Sequence, residues 1–264
     1  MQKQPIELTP TQVGILARCP LHYHFSQQNS TKFSQTQADQ SIEALVRETI
    51  QHLHIAGGPA RLELAECLVR VAGYPAATQM VETYYRRLQR DWSRVLAVNE
   101  EMSLRISIAP VSLTLHATLD RLDKTRDGGI LAIIFYTEAG SPLAADDLRQ
   151  DLGMTVYHAL VAATYPLKRP VRLQQLWLRA DQDVTIELSE EEYRRNLSRL
   201  REPVQALAHG EVMARPGLHC ESCPFKYRGC PVYAHDATPP DSSDDFDPDD
   251  SSGKIHPRQW IFKI

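Results

Sequence analysis

Apolar residues recur with a helical period in the first hundred residues of the chain and with a strand period after that. Four segments place apolar side chains three and four residues apart, and each is predicted to be a helix: residues 8–19, 37–57, 61–73 and 77–99. Thr9 or Thr11 is the expected N-cap of the first helix. Two segments then alternate polar and apolar residues and a third is a nearly continuous apolar run, which predicts strands over 102–110, 111–123 and 128–140. We expect a turn at Ala109-Pro110 and a glycine-containing hairpin turn after Asp127.

The segments that follow complete an α/β or α+β domain. A helix is predicted over 144–165, a strand pair around Asp181 and Asp183, and a further helix that begins with a capping box of Ser189 and Glu192. Helices before and after three mainly antiparallel strands indicate a mixed sheet flanked by helices, with a helical insertion near the N-terminus.

The sequence changes character near residue 236. Six aspartates crowd into residues 241–250, and an acidic segment with so little apolar surface is predicted to be disordered over 236–253. Apolar side chains return at the end, where Trp260 and Phe262 form a tip that is either a docking peptide or a strand folded back onto the domain. We therefore expect a folded domain over 1–235 and an acidic tail with a hydrophobic tip over 236–264.

Composition indicates a water-soluble protein and leaves its partner open. The chain has 264 residues, 42% of them hydrophobic, and a formal net charge of −4. No apolar run approaches the about 18 residues that cross a bilayer, and the N-terminus lacks the apolar segment of a secretory signal, so a cytoplasmic protein without membrane contact is expected. The long helix carries arginines beside aromatic residues. These would suit either phosphate contacts or a solvated helix face: Arg86, Arg87, Arg90 and Arg94 with Tyr84, Tyr85 and Trp92.

Four cysteines at the two ends of the folded part are the strongest chemical signal. Cys19 stands alone near the N-terminus, whereas Cys220, Cys223 and Cys230 follow one another with C-x2-C-x6-C spacing. Thiolates in this number favour an iron–sulfur cluster or a tetrahedral Zn²⁺ site that joins the two ends. Disulfides are the alternative, and they need an oxidising compartment. Cys67 has apolar neighbours at helical spacing and is expected in the core.

The order of these motifs resembles a known nuclease family. A Leu-x-x-Cys-Pro helix start, the strand motif ATLDRLD that contains Asp120, an apolar strand, a helix that contains Tyr157 and the cysteine trio follow one another over residues 7–233. This order is similar to that of the RecB/AddB-type nucleases of the PD-(D/E)XK superfamily, in the branch with a four-cysteine [4Fe–4S] cluster, and of CRISPR-associated exonucleases. The resemblance implies a restriction-endonuclease-like fold and a [4Fe–4S] cluster on the four cysteines, with Zn²⁺ as the alternative.

The same resemblance implies a metal-dependent active site that this chain has mostly lost. Family members hold Mg²⁺ or Mn²⁺ with two strand carboxylates and a nearby His or Glu, and a lysine orients the attacking water. Asp120 matches the first carboxylate and Tyr157 matches a tyrosine on the following helix. The other positions are substituted: Arg47 for the His, Phe135 for the second carboxylate, Thr137 for the lysine and Gly153 for a glutamine.

These departures predict a nuclease fold without nuclease activity. An aromatic residue at 135 and a positive charge at 47 both disfavour a divalent ion, so Mg²⁺ is not expected as a cofactor. The expected role is in DNA repair or recombination, with DNA as a candidate ligand and a helicase or repair factor as the expected protein partner. Two alternatives stay open. One is an active Mg²⁺-dependent exonuclease with displaced groups at Glu138 and Lys124, and the other is a module that binds only proteins.

Overall fold

The structure is a computed structural model that describes residues 6–28, 37–108, 110–227, 229–233 and 261–263, with 37–41 and 261–263 described by their backbone alone. The helices are α1 Pro10–Arg18, α2 Pro20–Gln28, α3 Gln37–Ile55, α4 Leu64–Arg70, α5 Pro75–Asp91, α6 Ala145–Gln150, α7 Leu152–Thr164, α8 Glu190–Arg199 and α9 Arg201–His209. The strands are β1 Ile6–Leu8, β2 Val95–Ile108, β3 Val111–Lys124, β4 Ile130–Tyr136, β5 Val171–Trp177, β6 Gln182–Glu187, β7 Glu211–Met213 and β8 Ile261–Lys263.

Six strands of the described chain form one mixed sheet in the order β1-β3-β4-β5-β6, and β2 pairs with β3 outside this path. The β2–β3, β3–β4 and β5–β6 pairs are antiparallel, whereas β1–β3 and β4–β5 are parallel. The three predicted strands and the strand pair that follows them are therefore confirmed, and so is the mixed sheet with flanking helices.

Alternation along β4 and β5 directs neighbouring side chains to the two faces of the sheet. Ile133 and Phe135 are buried in one hydrophobic cluster with Leu176 and with side chains of α3, α4 and α5. Gln175, next to Leu176, points the other way and contacts Met154 of α7. Helices thus cover both faces, as the restriction-endonuclease-like class requires.

Local sequence signals place several helix ends correctly. Thr9 Oγ1 accepts the N–H of Gln12 at 3.2 Å while the Gln12 side chain accepts the N–H of Thr9 at 2.9 Å, so Thr9 is the cap of α1. Ser189 and Glu192 form the predicted capping box at the start of α8. Just after α3, Gly57 has φ 97°, a left-handed conformation that glycine adopts without strain.

Two predicted helices are too long. The helix expected to reach residue 99 ends at Asp91, because Val95 and the residues after it pair with the end of β3 as strand β2. The helix expected over 144–165 is divided at Asp151, whose carboxylate accepts the N–H of Met154 at 2.8 Å and thereby starts α7. Helix α2 and strand β1 are absent from the sequence prediction.

The contacts divide the chain into a larger unit, residues 1–14 and 34–201, and a smaller unit, residues 15–33 and 202–264. The larger unit holds the six-stranded sheet. In the smaller unit, β8 pairs antiparallel with β7, which is the folded-back alternative for the end of the chain. The predicted disorder over 236–253, the tip residue Trp260 and Ala109 of the predicted turn lie outside the described residues. None of the described helices is long and apolar enough to cross a membrane.

Candidate functional site

The pairing of strand β3 with strand β4 ends just before Asp120 is reached. One edge of β3 is taken by β2, so β1 and β4 share the other edge, β1 beside residues 113–115 and β4 beside residues 121–124. The β3–β4 pairing stops at Arg121, and in its place Asp120 Oδ2 accepts the backbone N–H of Phe135 at 2.7 Å. The fold therefore fixes this carboxylate at the point where two strands part, with only 8% of the residue exposed.

A guanidinium occupies the other side of the carboxylate. Arg47 Nη1 of α3 donates to Asp120 Oδ1, and Nη2 donates to the carbonyl oxygen of Phe135 at 3.0 Å. Three of the positions singled out in the sequence thus meet in one closed set of hydrogen bonds between α3, β3 and β4. Because arginine stays protonated, a fixed positive charge lies where the resemblance implies a divalent ion.

One residue of this cluster was not singled out in the sequence. Glu43 lies one turn before Arg47 in α3, and its Oε1 accepts a hydrogen bond from Arg47 Nε at 3.0 Å. This bond helps to fix the orientation of the guanidinium. Its signal is the Glu-to-Arg spacing of four residues, which places the two side chains on one helix face.

The side chains of Phe135 and Thr137 supply neither a carboxylate nor an amine. The Phe135 ring packs edge-on against Tyr84 in the core, with ring centroids 5.0 Å apart, and the backbone of Phe135 makes the contact with Asp120. Thr137 is buried, with 6% of the residue exposed. The strand that carries the second carboxylate and the lysine in family members is here part of the hydrophobic core.

Tyr157 lies close enough to Arg47 to respond to its charge. Burial raises the pKa of Tyr157, and the positive charge of Arg47 opposes part of that rise. Tyr136 is a neighbour of Tyr157. Burial raises the pKa of Tyr136, and Tyr157 raises it further. The tyrosine expected from the resemblance therefore lies in the same region as Asp120 and Arg47.

Gly153 occupies a crowded position at the start of α7. A Cβ atom there would lie 3.1 Å from the carbonyl oxygen of Pro10 and 3.0 Å from the Asp151 carboxylate. A side chain as long as glutamine would first require these neighbours to give way. The packing of the α1 start against α7 is thus a physical reason for glycine at this position.

Glu138 and Lys124 lie near opposite ends of strand β4. Lys124 pairs with the first residue of β4, whereas Glu138 follows the last, and both side chains are exposed. Strand β4 separates them by about 20 Å at about 3.3 Å per residue. The displaced carboxylate and the displaced lysine considered from the sequence therefore do not lie at one site in this structure.

The smaller unit places the four predicted cysteine ligands around one cavity. Cys19 lies between α1 and α2, and the other three lie in successive turns near the end of the described chain: Cys220, Cys223 and Cys230. Aromatic rings of Phe25 and Phe225, with centroids 5.3 Å apart, also line this cavity. All five cysteines carry free thiols, and Cys67 is fully buried in the core as expected.

The thiols are close enough to influence one another. Burial raises the pKa of Cys223, and Cys19 and Cys220 raise it further. Burial likewise raises the pKa of Cys230, with further contributions from Cys19 and Cys223. Four thiols around an apolar cavity are the donor set that an iron–sulfur cluster uses. Within the described residues, no group of three or more His, Cys, Asp or Glu side chains is tight enough to hold a single metal ion.

The sheet, its flanking helices and the position of Asp120 define a restriction-endonuclease-like nuclease fold. A model of the PD-(D/E)XK nuclease superfamily matches residues 7–231, so the chain belongs to this superfamily. No curated protein matches the sequence significantly.

Two solved structures resemble the chain over most of its length. A protein named SSO0001 is 16% identical with a TM-score of 0.43, and the alignment covers 88% of this chain and 89% of that one. A candidate exonuclease from Eubacterium rectale is 11% identical with a TM-score of 0.49, and the alignment covers 90% and 91%. Because both TM-scores lie below 0.5, these likenesses carry no inference about function.

Proposed function

We propose that this chain is a non-cleaving member of the PD-(D/E)XK superfamily that acts in DNA repair or recombination by binding DNA or a protein partner such as a helicase. The observation that carries the proposal is the contact of Arg47 with Asp120. The resemblance to the RecB/AddB-type branch supports the same role, and a cytoplasmic location remains part of the proposal.

The contact leaves little capacity for a divalent ion. Mg²⁺ needs several oxygen ligands in octahedral geometry, and one of the two Asp120 oxygens accepts from Arg47 while the other accepts from Phe135. An ion would have to displace the guanidinium and then bind beside its charge. No lysine is available at position 137 to activate water.

Cleavage assays test this proposal directly. Purified wild-type protein, Asp120→Ala and the surface control Asp147→Ala are incubated with single- and double-stranded DNA in Mg²⁺ and in Mn²⁺. We expect no difference between the three proteins and no products beyond those of a metal-free sample. Metal-dependent cleavage that disappears in Asp120→Ala but survives in Asp147→Ala would refute the proposal and establish an active exonuclease.

We also propose that the smaller unit binds a [4Fe–4S] cluster through Cys19, Cys220, Cys223 and Cys230. The four free thiols around one apolar cavity support it. Zn²⁺ is the alternative metal for the same cysteines, and it would require the thiols to move closer together than they lie in the described structure. When bound, such a cluster would supply a covalent link between the ends of the folded chain.

Anaerobic purification separates the alternatives. A cluster gives a brown protein with broad visible absorption and about four irons per chain, whereas Zn²⁺ gives a colourless one. Cys19→Ser should lose the metal and lower the melting temperature, while the matched variant Cys67→Ser should keep it. Full metal content in Cys19→Ser would contradict the assignment.

A further inference from the structure

A cleft of about 740 Å³ opens on the larger unit beside the C-terminal half of α5. Leu131, Ile133 and Leu176 form its apolar part, and its polar residues come from α5 and the residues just after it, from the end of β3 and the turn that follows, and from β5. Among the described residues that line it, seven are basic and three are acidic: Arg87, Arg90, Arg94, Arg121, Lys124, Arg126 and Arg172 against Asp91, Asp123 and Asp127. The cleft is therefore cationic although the whole chain has a net charge of −4.

Four of the basic side chains are held by carboxylates of the protein itself. The pairs are Arg87 with Asp181 and Asp183, Arg94 with Asp91, Arg121 with Asp123, and Arg172 with Asp127 and Glu187. The Arg121–Asp123 pair is almost fully buried, with 2% and 3% of the residues exposed. These pairs offset much of their own charge and fix the walls of the cleft.

The other three basic side chains are exposed and have no ion-pair partner in the described part of the chain. They are Arg90, Lys124 and Arg126. Arg90 follows Arg87 on α5 at a helical rise of about 4.5 Å, and Arg94 lies in the short 3-10 turn that follows the helix. Lys124 and Arg126 project from the end of β3 and the turn that follows it. Uncompensated charge of one sign in a concave surface attracts an anion.

The side chains of the cleft suit a row of linked phosphate groups better than a single anion. Guanidinium groups match phosphate oxygens in bidentate geometry, and cations spread along a helix and a facing turn fit several anions in a row better than one. Of the apolar lining residues, Ile133 and Leu176 are buried in the core, and Leu131 is partly exposed and can contact sugar surface. No aromatic ring is among the described lining residues, so base stacking and base selection are not provided.

We propose that this cleft binds the phosphodiester backbone of a nucleic acid strand without regard to sequence and without a divalent ion. The inference rests on the proposed DNA-binding function and assigns it a surface that Asp120 does not line. The key contacts come from Arg90, Lys124 and Arg126, because their charge is not already offset by the protein. The sequence alone left two alternatives for the arginines of α5, phosphate contacts or a solvated helix face.

The test measures binding of a fluorescein-labelled oligodeoxynucleotide by anisotropy in EDTA, in single-stranded and duplex form, between about 50 and about 200 mM salt. The cleft variant combines Arg90→Ala, Lys124→Ala and Arg126→Ala. The matched control combines Arg70→Ala, Arg194→Ala and Arg195→Ala, which removes the same charge from exposed positions outside the cleft. Melting temperatures of both variants check that the fold is intact.

We expect the cleft variant to bind at least about tenfold more weakly and its plot of log affinity against log salt to flatten by about 2 for the single strand and about 3 for the duplex. The control variant should keep both values. A variant with Arg90→Lys and Arg126→Lys should keep the salt slope, because its charge is unchanged.

Each other outcome overturns the proposal in a distinct way. Equal losses in both triple variants would show that binding follows net charge and not this cleft. Full binding by the cleft variant would place the nucleic acid elsewhere, and the proposed DNA-binding function would survive. If the wild-type protein binds neither oligonucleotide at about 50 mM salt, the cleft and the DNA-binding function fail together.

Discussion

Replacing Arg47 with methionine should destabilise the larger unit, because it leaves the Asp120 carboxylate buried without its charged partner. The Asp120 side chain is 9% exposed and that of Arg47 is 34% exposed, so the pair is neither a surface ion pair nor a fully buried one. Exposed pairs contribute about 0–1 kcal/mol, and breaking a buried pair costs about 3–5 kcal/mol. We expect a loss of about 2 kcal/mol for Arg47→Met, which also matches the worth of hydrogen bonds to charged groups.

The direction of rescue distinguishes the ion pair from general packing. Asparagine at position 120 can still accept the Phe135 N–H but carries no charge, so Arg47→Met with Asp120→Asn should be more stable than Arg47→Met alone by about 1 kcal/mol. The control Arg86→Met removes an arginine of α5 that is 68% exposed and should change stability by less than about 0.5 kcal/mol.

Thermal unfolding followed by circular dichroism is a sufficient assay. A change of 1 kcal/mol shifts the melting temperature of a domain of this size by about 2–4 °C, so Arg47→Met should melt about 4–8 °C lower than wild type. If Arg47→Met melts like Arg86→Met, or if Asp120→Asn fails to raise the melting temperature of Arg47→Met, the pair does not stabilise the fold as argued.

Two further predictions follow from buried groups of the larger unit. Burial lowers the pKa of His54 from 6.5 to about 4, with a smaller contribution from the charge of Arg121. The unfolded chain therefore binds more protons than the folded one between these values, and stability should fall as pH drops from about 6.5 to about 4. His54→Gln should flatten this part of the stability curve, whereas the exposed His52→Gln should leave it as steep as in wild type. Gly129→Ala should destabilise strongly, because its Cβ would lie 2.2 Å from a backbone carbonyl oxygen, whereas Gly128→Ala has open space and should cost only about 1 kcal/mol for its positive φ. Urea unfolding compares the two, and equal losses would contradict the steric argument.

Strands with long alternating patterns were predictable because the pattern itself decides which side chains are buried. The segment 111–123 alternates from Val111 to Asp120 and becomes β3 with little change. The start of β2 was not predictable in this way, because the apolar run from Val95 to Val98 fits a helix as well as a strand. Its pairing with the end of β3 decides the matter, and that partner is about thirty residues away in the sequence. The three-residue strand β1 carries no readable period at all.

The candidate site shows the same division between local and distant information. The resemblance assigned roles to Arg47, Asp120 and Phe135 one at a time, and it implied that Arg47 would repel a metal ion. Arg47 in fact donates hydrogen bonds to Asp120 and to the backbone of Phe135, and these partners are 73 and 88 residues away in the sequence. The cationic cleft was equally hidden, because the neutralised and the free arginines of α5 look alike until their carboxylate partners are known.

The Arg47–Asp120 pair also affects the charge that a nucleic acid backbone encounters on this fold. In members with several carboxylates, the divalent ion offsets negative charge that would otherwise repel the phosphates. Here the guanidinium of Arg47 pairs with both Asp120 and Glu43, and it is itself 34% exposed. Asp120 therefore has a charged partner even when no metal is present, whereas the three side chains together keep one net negative charge. We therefore expect a phosphate backbone to bind in EDTA at the cationic cleft, which Asp120 does not line, and not at the Arg47–Asp120 pair, whose positive charge is already taken by two carboxylates.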